Sequence, residues 1–114
     1  MTASTIDRAT FDALKDTTGA DFVVELVDTF LEEAPAMLAE LRRASAAGDA
    51  DAFRRAAHSL KSNSNTFGAL TLGSLARELE LGGIPKAAEG GGGIDALEQE
   101  YARVAAALVE LRHA

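Results

Sequence analysis

At 114 residues the chain has room for one hydrophobic core, and its formal charge of −7 lacks the basic stripe that a phosphate-backbone binder needs. Hydrophobic residues make up 47% of the chain but aromatics only 5%, and alanine and leucine dominate over β-branched residues, which favours helices over sheet. There is no cysteine, so disulfide and thiolate chemistry are excluded. No apolar run nears the roughly 20 residues that span a bilayer, and the first residues do not resemble a secretory signal. A cytoplasmic, monomeric protein that neither inserts into membranes nor binds nucleic acid is expected.

In chain order, Phe11 to Lys15 reads as a brief N-terminal helical turn. The run Thr18-Gly19-Ala20-Asp21 resembles a capping box opening a helix from Asp21 to Glu33, with Phe22, Val23, Leu26, Val27, Phe30 and Leu31 at helical spacing. Pro35 either kinks a longer helix or begins a second segment, Pro35 to Ala47, with Met37, Leu38 and Leu41 on its apolar face. Gly48-Asp49 is a stop followed by an N-cap, and the next helix runs from about Ala50 to Asn65 or Phe67. Gly68 ends it. Thr71 is placed to cap a segment carrying Leu72, Leu75, Ala76, Leu79 and Leu81.

Residues 82–93 hold six glycines, a proline and a lysine among twelve residues, the composition of a mobile loop. The last helix, Ile94 to Arg112, bears a stripe of Ile94, Leu97, Tyr101, Val104, Leu108 and Leu111. The expectation is a single all-α domain over 1–114, an antiparallel four-helix bundle with a short extra N-terminal helix. Its core helices are expected at about 20–81 and 94–112.

The stretch AAHSLKSNSNTFGA, residues 56–69, places a histidine and a lysine one turn apart among small residues. At about 100° per residue with Phe53 at zero, Ala57, Leu60, Ser64 and Phe67 fall within about 40°, and Ala56 near −60°. His58 falls at about 140°, Lys61 near 80°, Arg54 near 100°, Asn65 near 120°, Ser62 near 180° and Arg55 near 200°. The buried stripe thus includes Ser64, small enough to bond the preceding turn, while His58 faces solvent among cations.

An exposed helical histidine ordinarily has no role. Two features set this one apart: the positions a turn beyond it are small enough for another protein to approach, and Arg54, Arg55 and Lys61 form an anion-attracting surround. Carboxylate pairs elsewhere (Glu32-Glu33, Glu78-Glu80, Glu98-Glu100) sit on different helix faces and read as solubilising charge. The run EGGGGID lacks the strand and the Lys-Ser/Thr ending of a nucleotide loop, and no kinase signature occurs. No cofactor and no metal site is expected. His113, near the chain end, serves as an internal control.

The segment Ala57 to Ala69, A-H-S-L-K-S-N-S-x-x-x-G-A, resembles the motif of histidine-containing phosphotransfer (HPt) domains of multistep phosphorelays. The likeness extends through Phe30-Leu31-Glu32-Glu33, Pro35 and the segment from Leu38 to Leu41 before the motif. It takes in the break at Gly48-Asp49 and, after the motif, Leu75 with Leu79-Glu80. It implies a four-helix bundle in which His58 carries a phosphoryl group exchanged with the aspartate of a receiver domain, without autokinase activity. It also implies that Lys61 stabilises the phosphoryl group. Arg54, Arg55, Ser62 and Asn65 are the expected receiver-docking surface. Many members have glycine after the lysine, where this chain has Ser62, still small. Two other readings fit a helical chain of this kind: a helical adaptor that is never phosphorylated, and the dimerisation hairpin of a histidine kinase. The hairpin typically has an acidic residue after its histidine, where Ser59 stands here.

Overall fold

The computed structural model describes residues 5–85 and 92–112, and every regular element among them is an α-helix. The helices are α1 (Arg8–Thr18), α2 (Ala20–Ala47), α3 (Ala50–Thr66), α4 (Leu70–Gly82) and α5 (Gly92–Leu111). The mobility expected for the glycine-rich stretch concerns mainly residues 86–91, which lie outside the described residues. Of its flanks, Gly82 closes α4, while Gly92 and Gly93 open α5.

Pro35 does not divide the second helix. Val23, Val27, Phe30, Ala34, Leu38, Leu41 and Ala44 form one buried row at spacings of three and four. That row keeps a single register across the proline, so packing holds the helix together where its backbone loses a donor. The ring itself is on the exposed face, where water can serve the Leu31 carbonyl it leaves without an amide partner. Phe22, expected on the apolar face, is instead largely exposed.

The capping expectations divide. At Gly48-Asp49 the glycine takes the left-handed conformation (φ 69°), and the Asp49 carboxylate accepts from the Ala52 amide at 3.1 Å. By contrast, no capping box forms at residues 18–21. Gly19 occupies the cap position, and Thr18 turns its hydroxyl back to donate to the Leu14 carbonyl at 2.8 Å. Thr71 lies inside α4, whose cap residue is Ala69, so it caps nothing. The first helix is longer than the turn expected from its apolar residues, because Asp7 caps it and accepts from the Thr10 amide at 3.1 Å.

Helices α2 to α5 close a ring in which each packs on the next and α5 returns to α2, a four-helix bundle. Along α3 and α4, Asn65 meets Gly73 while His58 and Lys61 meet Glu80, so these two helices run antiparallel. Arg42 bonds Asp95 and Glu98, and Arg112 bonds Asp28, which makes α2 and α5 antiparallel as well. Inside, Phe30 packs on Phe67 (ring centroids 5.2 Å apart) and on Tyr101 (6.0 Å). Ile94, Leu97, Val104 and Leu108 of the expected α5 stripe are buried, with Tyr101 and Leu111 at its edge. Leu81 is 68% exposed, outside the face predicted for it. Glu100, taken as surface charge, is 5% exposed and holds the Arg103 guanidinium at 2.8 Å, which keeps its carboxylate paired.

The N-terminal segment is pinned to the end of α3. The Asp7 amide donates to the Gly68 carbonyl at 2.7 Å, and Ile6 and Phe11 are buried beside it. Gly68 has φ 85°, and a Cβ there would lie 2.7 Å from the Asp7 carbonyl oxygen. Only glycine meets both demands without strain.

Candidate functional site

Helix α3 divides as its sequence pattern requires. Ala52, Phe53, Ala56, Ala57, Leu60 and Ser64 are buried, and the Ser64 hydroxyl donates to the Leu60 carbonyl at 2.6 Å, satisfying its polar atom inside the core. His58 stands on the opposite face, with 56% of its side chain exposed. Because α3 is anchored by its apolar row to α2 and α4, the imidazole is presented from a rigid element.

The structure brings one residue to this site that sequence reasoning had assigned to the surface. Glu80 of α4 places Oε2 at 2.7 Å from His58 Nδ1 and Oε1 at 2.8 Å from Lys61 Nζ. Its side chain is only 14% exposed, and Lys61 is 24% exposed. The carboxyl titrates below the usual carboxylate range, chiefly because Lys61 and then His58 bond it, which outweighs its partial burial. The sequence held a partial signal: Glu80 lies four residues after Ala76 and seven after Gly73, a row of small residues where a neighbouring helix can approach.

The remaining expected site residues are spread around the histidine. Arg54 pairs with Asp51 at 2.8 Å and Arg55 with the same carboxylate at 3.6 Å. The cationic surround therefore has carboxylate partners for all three of its members, and the histidine expected to face solvent among cations has one as well. Ser62 is exposed beyond His58. Asn65 is exposed and lies against α4, where a Cβ on Gly73 would overlap its amide. A shallow groove of about 340 Å³ runs beside this face, lined by Met37 and Glu40 of α2 and by Arg55, Ala56 and Ser59 of α3. His113 lies outside the described residues. Among the described residues, no three His, Asp or Glu side chains converge to hold a metal ion. Nor is any helix there long and apolar enough to cross a membrane.

The helical bundle agrees with comparison to known proteins. The Hpt domain model matches residues 25–107. The chain belongs to the Hpt domain family. Among solved structures, this Hpt chain is similar to histidine-containing phosphotransfer protein B (HptB) from Pseudomonas aeruginosa PAO1. The two share 30% identity and a TM-score of 0.86, over 98% of this chain and 97% of that one. No curated protein matches the sequence. The chain is thus an HPt phosphotransfer protein with a helical-bundle fold.

Proposed function

We propose that His58 is the residue that carries the phosphoryl group, exchanging it with the aspartate of a receiver domain, and that the chain does not phosphorylate itself. The observation that carries this reading is the placement of His58: it is 56% exposed, inside the family motif, and one turn before Lys61. A neutral imidazole has one unprotonated nitrogen, a competent nucleophile toward phosphorus. In-line transfer through a loose transition state spreads charge over the equatorial phosphoryl oxygens, so positioning and nearby cations supply most of the catalysis. Lys61 is the cation within reach, while Arg54, Arg55, Ser62 and Asn65 form the surface on which the receiver docks. The carboxylates that hold the metal for this chemistry belong to the receiver side.

The test is transfer from a phosphorylated receiver domain to wild-type protein and to His58→Gln. Acid-labile, base-stable label on wild type alone is the expected result. Label on both proteins would overturn His58 as carrier, and label on neither, across a panel of receivers, would overturn the carrier role itself.

A further inference from the structure

We infer that Arg54 is a second phosphoryl-binding residue: as His58 takes up its phosphoryl group, the Arg54 guanidinium leaves Asp51 and binds the phosphoryl oxygens from the end opposite Lys61. This deepens the carrier reading above and rests on it. Arg54 lies four residues before His58 and Lys61 three after it, so the two cations flank the imidazole along α3. The structure separates Arg54 from its neighbour Arg55, which spacing along the chain does not. Arg54 lines a groove of about 380 Å³ between the start of α3 and the end of α4, together with Asp51, Glu80 and Leu81. Glu80 is also the partner of the His58 ring, so Arg54 and the ring share the α4 side. Arg55 instead lines the groove on the α2 side, with Met37 and Glu40. Of the charges in the α4-side groove, Glu80 is already matched by His58 and Lys61, which leaves Arg54 and Asp51 to respond to a new anion.

The chemistry of the step supplies the reason for the exchange. The lone pair of an unprotonated His58 ring nitrogen forms the N–P bond as the P–O bond of the donor's aspartyl phosphate breaks, and that electron pair leaves on the donor carboxylate. No proton has to move. Charge spreads over the equatorial oxygens, and the phosphoryl group left on the ring is a stronger anion than one carboxylate. The pair that Arg54 gives up is a surface contact at 2.8 Å between side chains 57% and 64% exposed, the kind that water and salt weaken most. Asp51 is not stranded, because Arg55 stays beside it at 3.6 Å. A guanidinium presents its donors in a planar fork that matches phosphoryl oxygens two at a time, where Lys61 offers a point charge. Arg54 thus complements Lys61 rather than duplicating it.

The experiment uses the full chain as wild type, Arg54→Ala, Arg54→Lys, Arg55→Ala and Asp51→Asn, with phosphoramidate as donor so that receiver docking plays no part. ³¹P NMR follows the rate of phosphohistidine formation and the pH at which the bound phosphoryl group takes up its last proton. Arg54→Ala is expected to label roughly fivefold more slowly, the loss of one exposed charge-assisted contact. Its phosphoryl group should also protonate at higher pH than in wild type, because a nearby cation favours the dianion. Arg54→Lys keeps the charge and is expected to restore part of both, and Arg55→Ala to match wild type in both. Asp51→Asn frees Arg54 in advance and is expected to label faster, a gain that adding Arg54→Ala removes. A folded Arg54→Ala protein with the wild-type rate and phosphoryl titration would overturn the inference while leaving the carrier reading intact. If that protein were slower only with a phosphorylated receiver as donor, Arg54 would return to a docking role. Equal losses in Arg55→Ala and Arg54→Ala would overturn it too, since any cation on α3 would then serve. Should Arg54→Ala fail to fold, an Asp51→Asn protein that labels no faster than wild type would overturn it equally. Unlabelled wild type would overturn the carrier reading, and the inference with it.

Discussion

His58 and Leu60 sit two positions apart on α3 and face opposite ways, so substituting each in turn separates activity from stability. Leu60 is fully buried in the row that joins α3 to the core. Truncation to alanine removes its apolar contacts and leaves a cavity that close-packed neighbours only partly fill, a loss of about 3 kcal/mol. At about 5 °C per kcal/mol for a small domain, Leu60→Ala should melt roughly 15 °C lower. His58→Gln removes an exposed ring and one exposed hydrogen bond, so its Tm should move by roughly 4 °C or less. Thermal melts followed by far-UV circular dichroism measure both, and a phosphoryl-transfer assay at 25 °C supplies the second axis. Leu60→Ala should still accept a phosphoryl group there, since a domain of ordinary stability survives the loss. His58→Gln should accept none. Equal destabilisation by the two substitutions would refute the division of α3 into a core face and a presenting face.

Lys61→Ala should slow transfer to His58 about tenfold by removing one charge-assisted contact to the phosphoryl oxygens, with the label still on His58. Peptide mapping that finds the label on His113 would contradict it. The pH dependence follows from Glu80, whose folded-state titration is depressed by Lys61 and His58. The stabilisation linked to this group is fully present above the usual carboxylate range and is lost as pH falls through the depressed folded value. The Tm advantage of wild type over Glu80→Gln should therefore hold from neutral pH down to about 5 and shrink in more acidic buffer. An advantage that grew on acidification would reverse the sign argued here. Gly68→Ala should cost about 2 kcal/mol or more, because alanine is strained at positive φ and its Cβ would crowd the Asp7 carbonyl. Amide exchange should quicken through α1 in that variant, and an unchanged melt would show the Asp7–Gly68 junction to be loose.

Much of this protein was legible along the chain because helices obey a local rule. Apolar spacing marks a buried face whatever lies opposite it, so the stripe from Phe53 to Phe67, the inward Ser64 and the outward His58 follow from a 3.6-residue period alone. The turn at Gly48-Asp49 was equally local, since a left-handed glycine and a capping aspartate need no distant partner. Other features depended on what stood across the gap between elements. Thr18 and Thr71 have capping chemistry, yet the chain turned at Gly19 and Ala69, because packing sets where a helix begins as much as its cap does. Pro35 would end an isolated helix, but the buried row running past it on both sides holds α2 continuous. Glu80 lies 22 residues from His58, and nothing in the spacing of either helix states which residue of one meets which of the other. The antiparallel docking of α3 on α4, with Gly73 admitting Asn65, sets that register. It turns a carboxylate that reads as surface charge into the partner of both the histidine and its lysine, because a hydrogen bond needs two groups brought to one place and a sequence specifies only one helix at a time.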